Sequence, residues 1–462
     1  MFRWWADGEH PSDCLCKQEC YLTGYFVPAE ELCRLYHFQG EKTMSMIADV
    51  PVKDLVKTYG TPLVVYDAGA LRSRLKEFTE NFQSDRFDTG ILYASKAFSC
   101  KAVLKLANEY GLYVDAVSCG EIHTALAAGY DPAKIVFHGN NKTADDLQYA
   151  LTKGVGTIVV DNLMEAQLLD QMIRGTDHTI HTLVRVNPGI SAHTHHYIVT
   201  GHVDSKFGIS LLNESELVDT IRILKDNPNI SFDGFHSHIG SQIFEKQAFV
   251  EEIRKLFETA ADFREKYGIS CNTMDFGGGF AAVYTEEDHP IPIKEVCDTI
   301  LSTCTEEEDR LHTGIQKVLI EPGRSIVAEA GYNLYTVGFL KKTPNRSYVF
   351  VDGGMSDNIR PALYQAKYDA YIDGKEKEPV KETMTVAGKC CESGDILIEA
   401  IDLPEVKSGD ILVMKTCGAY GYAMASHYNK LPLPAVVFAE DGNHRTVIRR
   451  ETFEHMIALE ED

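Results

Sequence analysis

The stretch ILYASKAFSCKAVLKLANEYGLYVDAVSCGEIHTALAAGYDPAKIVFHGN, residues 91–140, decides the fold. Three short apolar segments, residues 91–95, 112–117 and 134–138, are separated by CKAVLKLANEY and GEIHTALAAGY. In these intervening runs apolar residues recur at helical spacing with charged residues opposite. Strands that alternate with helices pair in parallel, since each helix carries the chain back across the sheet. Outward from this stretch the alternation continues, with apolar segments at 157–161, 182–187, 232–237, 272–276 and 317–321, and QAFVEEIRKLFETAADFREKYG, residues 247–268, as another helical run. Eight such strands is the number that closes a TIM-like (β/α)8 barrel, which the pattern predicts over residues 68–325.

After Arg324 the pattern changes. NLYTVGFLKK, SYVFVDGG, KETMTVAGK, ILVMKTCGAY and PAVVFAEDG are strand-like with little helix between them, and they predict an all-β domain, sandwich or barrel, over residues 326–462. TPLVVYD, residues 61–67, is a strand of the same kind, so residues 46–67 are expected to contribute strands to that domain before the barrel begins. Residues 1–45 show no periodicity, contain Met44, and are read as an N-terminal extension without an assigned role.

Composition narrows the function. At 462 residues the chain is too long for one ordinary domain, and 44% hydrophobic with 24% charged residues supplies material for a sizeable core. A formal net charge of −23 opposes binding to nucleic acid or anionic membranes. The sequence has no run near the roughly 20 apolar residues a membrane span needs, and MFRWWADGEHPSDC lacks the apolar centre of a secretory signal, so the expected location is the cytoplasm. Twelve cysteines scattered over such a chain read as reduced thiols. Cys14, Cys16, Cys20 and Cys33 cluster, but at no paired zinc-ligand spacing, and no metal is expected.

The polar residues fall where the apolar segments end: Lys96, Ser118, His138 with Asn140, Asn162, Asn187, His238, Gly277 to Gly279, and Glu321 with Arg324. These are the C-terminal strand tips, the rim at which barrels of this kind build active sites. Tips are also polar simply because loops are, and Asn162 or His138 alone reads that way. Lys96 at a barrel mouth suits imine chemistry, since a desolvated lysine has a lowered pKa and presents a neutral amine to a carbonyl carbon; its position alone favours a surface lysine. DFGGGF, residues 275–280, offers backbone amides that can approach a phosphate closely, although a glycine triplet is often only a tight turn. In HIGSQ, residues 238–242, an imidazole, an amide and a hydroxyl come together. EPGR, residues 321–324, sets a carboxylate beside a guanidinium, which reads as a simple ion pair or as a carboxylate that keeps a pyridine nitrogen protonated.

Ten motifs in order carry a resemblance that runs from about residue 50 to the end: YASKA, VDAVSCGEI, HGNNKT, RVNPGISAHTHHYIVTGHVDSKFGI, HSHIGSQ, DFGGGF, EPGRS, DGGMSDNIRPALY, CCESGD and CGAYGYAMAS. The chain resembles the alanine-racemase-like (fold type III) class of pyridoxal-phosphate enzymes and, within it, the diaminopimelate decarboxylases. That resemblance implies pyridoxal 5'-phosphate as cofactor, bound by Lys96 as a Schiff base. Asp115, Gly240, Ser241, Gly277, Gly278, Gly279, Pro322, Gly323, Arg324 and Tyr420 would line the cofactor, His238 would stack on its ring, and Glu321 would pair with the ring nitrogen. It also implies a homodimer in which Cys391, the proton donor, and Glu392, which holds the distal ammonium, reach the partner's active site. Arg324, Arg360, Tyr364 and Tyr420 would bind substrate, the arginines gripping its distal carboxylate.

The activity implied is decarboxylation of meso-2,6-diaminopimelate to L-lysine, and the run HTHHYIVTGHVDSKFG resembles diaminopimelate enzymes more than ornithine enzymes. Alternatives are a decarboxylase of D-lysine, D-ornithine or another basic amino acid, a racemase, which Glu321 opposes, and a catalytically silent regulatory paralogue, which the presence of Lys96, Glu321 and Cys391 does not support. Cys119, where a small residue is common, is expected to make the rim sensitive to oxidation.

Overall fold

A computed structural model describes residues 45–190 and 205–461. Residues 1–44 with their four cysteines, and residues 191–204 of the histidine-rich run, lie outside the described residues.

Eight parallel strands close on themselves in the order Asp88–Ala94, Tyr113–Ala116, Ile135–Phe137, Thr157–Val160, Ile180–Asn187, Ile230–His236, Thr273–Asp275 and Lys317–Ile320, the last pairing with the first. Each is one of the eight apolar segments predicted. Because side chains alternate across a strand, the two faces have different fates. Val114, Phe137, Val160, Val184, Phe235 and Val318 point outward and join the large core against the helices. Leu92, Val136, Val159, Leu183 and Leu319 point inward and form a separate apolar plug. Two residues further along five of the eight strands, the same inward parity places Asp115, His138, Asp161, Arg185 and Glu321 above that plug, with His236 and Asp275 contributed by the neighbouring strands. The barrel thus has an apolar floor and a charged layer at its mouth.

Local capping fixes the turns between strands and helices. Ser118 accepts from the Glu121 amide to start Cys119–Ala127, and Asn162 accepts from Glu165 to start Leu163–Ile173. Thr143 and Asp146 form a reciprocal capping box on Ala144–Lys153, which stops at Gly154 in the left-handed region. The polar tips Ser118 and Asn162 are therefore engaged as helix caps.

The second sheet runs Ile396–Leu403, Glu382–Ala387, Ser347–Val351, Gly331–Lys342, Leu63–Asp67, Ala435–Glu440, Asn443–Ile448, with Ile411–Met414 and Ala370–Ile372 branching from Gly331–Lys342. Leu63–Asp67 pairs antiparallel with Gly331–Lys342 and parallel with Ala435–Glu440, so a strand from before the barrel sits inside the later sheet. One of its faces, Leu63 and Val65, packs on Val52 and Leu55. The other meets the barrel through Tyr66, whose ring stacks on Phe98 at 4.4 Å and whose hydroxyl donates to the Gly418 carbonyl at 2.6 Å.

The sequence reading expects strands in residues 46–67, and Met46–Ile47, Val50–Pro51 and Leu63–Asp67 are strands. Val52–Tyr59 is instead a helix, because Val52, Leu55, Val56 and Tyr59 share a helical face that covers this sheet. It also passed over the strands Ala370–Ile372, Ile396–Leu403 and Asn443–Ile448. In the last two, polar and charged residues interrupt the apolar pattern because both strands lie at sheet edges.

Candidate active site

Lys96 lies in the short turn Ser95–Ala97 that follows the first barrel strand, and the Ser95 hydroxyl ties that turn to the Asp115 carbonyl at 2.8 Å. Its ammonium donates to Asp115 Oδ2 at 3.2 Å. Burial works against the charge on Lys96, but Asp115 and Glu321 outweigh it and raise the amine above the ordinary lysine value. The expectation of a lowered pKa is therefore corrected: two buried carboxylates face this amine, and attraction to them exceeds the loss of solvation.

Glu321 is buried at the end of the eighth strand. His138 Nε2 lies 2.9 Å from its Oε1 and His236 Nε2 lies 3.4 Å from its Oε2. Burial alone would push this carboxyl up, yet the two imidazoles hold it well below the usual carboxylate range. Nearby Asp275 goes the other way, raised by burial and by the Glu321 charge, while its Oδ1 accepts from the Gly277 amide at 2.9 Å. Burial lowers His236 to about 4, leaving it neutral. His238 is also lowered by burial and by Lys96, and its Nδ1 accepts from the Gly278 amide at 3.2 Å, which fixes a neutral ring in one orientation.

The amides of Gly277 and Gly278 are engaged by Asp275 and His238, and the Gly277 carbonyl accepts from the Glu321 amide at 2.7 Å. A Cβ on Gly278 would come within 2.4 Å of the Glu321 carbonyl oxygen, and one on Gly279 within 2.8 Å of the Gly240 carbonyl oxygen. The triplet is needed mainly so that three loops can pack backbone to backbone. Pro322 joins this lattice through its carbonyl, which accepts from Ala94 at 3.2 Å.

Beside the glycines, Arg324 donates twice to the Ser241 hydroxyl, at 3.1 and 2.9 Å, and once to the Tyr284 hydroxyl at 2.6 Å. The Tyr420 ring lies 4.9 Å from the Arg324 guanidinium. Tyr420 is held at φ 58°, in the left-handed region unusual for a tyrosine, and its amide donates to the Ala97 carbonyl at 2.8 Å. Lys96, His238, Ser241, Gly278, Gly279, Glu321, Gly323, Arg324 and Tyr420 line one cleft. A second cavity, of about 350 Å³, shares Lys96, His238 and Glu321 with it and adds His138, Arg185, Phe207 and His236.

Arg360 begins the short helix Arg360–Tyr364 of the second domain. It donates to the Tyr368 hydroxyl at 2.6 Å and lies over the Tyr284 ring at 5.0 Å, so Tyr284 touches both arginines. Tyr364 is half-buried on the same helix. Cys391 and Glu392 are not among these residues. Both are exposed, in the loop between the strands Glu382–Ala387 and Ile396–Leu403, where the Cys391 amide donates to Asn429 at 2.6 Å. Cys119 is removed from the oxidation-sensitive set: burial and the Asp146 carboxylate 3.2 Å away push its thiol up to about 11, so little thiolate forms.

The sequence reading passed over His236, Arg185, Tyr284 and Tyr368, and set His138 aside as a loop polar residue. The first two were marked by parity, as they alternate with Phe235 and Val184 on strands whose other face is apolar. Tyr284 and Tyr368 carry no local signal, since they meet only through the packing of the two domains.

The chemistry of this donor set suits pyridoxal phosphate. Lys96 offers an amine for the aldehyde, the fixed His238 ring offers a flat face, the ionised Glu321 suits a ring N–H, and Arg324 with Ser241 suits a phosphate. The family model described as pyridoxal-dependent decarboxylase, pyridoxal binding domain, matches residues 68–328. Barrel, lysine and carboxylate thus define a pyridoxal-phosphate-dependent decarboxylase. Diaminopimelate decarboxylase from Bacillus subtilis is 47% identical over 415 residues, covering 90% of this chain and 94% of the relative, and that from Staphylococcus aureus is 41% identical over 426 residues, covering 91% and 98%. The crystal structure of the Helicobacter pylori enzyme complexed with L-lysine superposes with a TM-score of 0.80 at 32% identity, covering 88% of this chain and 98% of that one. The chain belongs to the diaminopimelate decarboxylase family.

Proposed function

We propose that the protein decarboxylates meso-2,6-diaminopimelate to L-lysine and carbon dioxide, the last step of lysine biosynthesis, with Lys96 as the lysine that carries the cofactor. The observation that carries this reading is the arrangement of Arg324 and Arg360, both buried and both in contact with Tyr284 beside the Lys96 cleft. A second buried cation beyond the phosphate site suits a substrate with a second carboxylate, which lysine and ornithine lack. The names of the relatives and the lysine bound to the H. pylori enzyme support the same substrate.

Bound pyridoxal phosphate supplies the electron sink for the pair left when carbon dioxide departs. The chain's own residues do the rest. Glu321 holds a proton at the ring nitrogen, His238 supports the ring face, and Arg324, Ser241 and the loops at Gly240, Gly279 and Gly323 hold the phosphate. Asp115 keeps the Lys96 ammonium at the rim. Arg360, with Tyr364 and Tyr420, orients the distal end of the substrate.

Cys391 delivers the proton that replaces carbon dioxide, and Glu392 holds the distal ammonium, each in the active site of a second copy of the chain. Their exposure, on a loop away from their own Lys96 cleft, supports this homodimer. The eight cysteines among the described residues are all free, and no described helix is long and apolar enough to cross a membrane, which supports a cytoplasmic location. The test is direct. Purified protein with pyridoxal phosphate is given meso-diaminopimelate, D-lysine and D-ornithine separately, and carbon dioxide and product are measured. Release from the first with formation of L-lysine is expected; none from it, with release from either of the others, overturns the proposal.

A further inference from the structure

Among the buried carboxylates at the barrel mouth are Asp115, Asp275 and Glu321, each with its side chain shielded from solvent. Three such acids cannot all stay ionised cheaply, because burial and mutual repulsion both favour the neutral form. What separates them is their partners. Asp115 has the Lys96 ammonium at 3.2 Å. Asp275 Oδ1 has the Gly277 amide, while its Oδ2 is buried without a hydrogen bond among the described residues. Glu321 has an imidazole nitrogen near each oxygen, His138 at 2.9 Å and His236 at 3.4 Å. The two rings pack edge to face at 4.9 Å, so each limits the movement of the other. His236 Nδ1 is buried with no hydrogen-bond partner among the described residues, as suits a ring whose proton sits on Nε2 and points at Glu321.

We infer that His138 and His236 are positioning residues that flank both oxygens of Glu321 and keep its carboxylate aimed at the cofactor's ring nitrogen. This rests on the pairing of Glu321 with that nitrogen proposed above. The other charged or titratable groups facing Glu321 are Lys96 on the first strand's turn, Asp115 on the second strand, Arg185 on the fifth, His238 after the sixth and Asp275 on the seventh. Among the described residues, the two imidazoles approach the carboxylate from strands three and six, and Asp275 approaches it from strand seven. Elsewhere, the buried Lys142, 2.9 Å from Glu165, donates to the Gly139 and Val159 carbonyls.

The experiment compares His138→Leu, His236→Leu, His138→Gln, His236→Gln and Glu321→Gln, with each leucine variant also made in the Glu321→Gln background. Three quantities are read: the dissociation constant for pyridoxal phosphate, the pH dependence of the bound cofactor's imine absorbance, and the melting temperature of the cofactor-free protein. His236→Leu is expected to weaken cofactor retention roughly 10- to 100-fold, the scale of a lost hydrogen bond to a charged group, His138→Leu, which removes an imidazole 2.9 Å from the carboxylate, to weaken it in the same direction, and both to shift the absorbance titration. The glutamine variants keep an N–H donor and should recover most of both, which also serves if a leucine variant fails to fold. In the Glu321→Gln background the leucine substitutions should add little. Leucine variants with native affinity and absorbance, glutamine variants no better than leucine, or losses that add fully in the Glu321→Gln background would each overturn the inference. If Glu321→Gln alone leaves affinity, absorbance and turnover unchanged, it is the ring-nitrogen pairing that fails.

Discussion

At the scale of single residues, function rests on how buried charges are partitioned. Lys96 stands at a strand tip with its ammonium facing Asp115 and Glu321, so the site holds the lysine charged and in place rather than neutral. Lys96→Ala should abolish the imine absorbance and lower turnover by roughly a thousandfold or more, as absorbance and carbon dioxide release will read; a variant that keeps the absorbance would unseat Lys96. Glu252 makes a separate, structural prediction. It is fully buried, accepts from the Ser237 hydroxyl between the two site histidines, and is pushed by burial from 4.5 to about 8. Its folded value exceeds its unfolded one, so between pH 4.5 and about 8 the folded chain binds a proton that the unfolded chain lacks. Its contribution to stability therefore falls as pH rises through that window, by about 1.4 kcal/mol per unit. Glu252→Gln should leave the melting temperature near native at pH 5 and raise it by roughly 5 °C at pH 8.5, as calorimetry across that range will show.

At the scale of elements, three loops act as one body. The turn after Thr273–Asp275 gives its Gly277 carbonyl to the Glu321 amide, its Gly279 carbonyl to the Ile243 amide and its Gly278 amide to the His238 ring, so the loops after strands six, seven and eight are bonded to each other. Gly278→Ala would set a methyl 2.4 Å from the Glu321 carbonyl oxygen, and backbone cannot yield as a side chain does. We expect a loss of about 1–3 kcal/mol in stability together with weaker cofactor retention, measured by melting and absorbance titration. A merely anion-binding turn would lose the second without the first. The helix starts were largely legible, since Ser118, Asn162 and Thr143 are ordinary capping residues. Val52–Tyr59 was not, because TPLVVYD just beyond it is so strongly strand-like that it colours the whole segment.

At the scale of the whole molecule, the second domain completes the cleft of its own chain from one side through Tyr420, and its Arg360 meets Tyr284, the partner of Arg324, while the Cys391 loop is exposed. If that loop serves a second copy, activity should be recoverable between two inactive chains. Lys96→Ala and Cys391→Ala chains mixed after dissociation should regain about a quarter of native turnover, since half the dimers are hybrid and each hybrid holds one intact site. Were Cys391 to act within its own chain, no hybrid site would be whole, and mixing would restore nothing.

The order of apolar segments and their polar tips was enough to specify eight parallel strands, a following β domain, and Lys96, Glu321, Arg324 and His238 at one rim, because period-two and helical patterns are local and barrel closure gathers every strand tip at one end. What only the tertiary structure decided was how those groups are charged and what they touch. The site lysine is held charged by carboxylates from other strands, Glu321 gains two histidines that look unremarkable in sequence, and the Gly278 amide is taken by His238 of a neighbouring loop. Tyr284 reaches both arginines only because the two domains meet. Each depends on distances between residues far apart in the chain, and a proton's place in a buried cluster follows from those distances rather than from any one residue's neighbours in sequence.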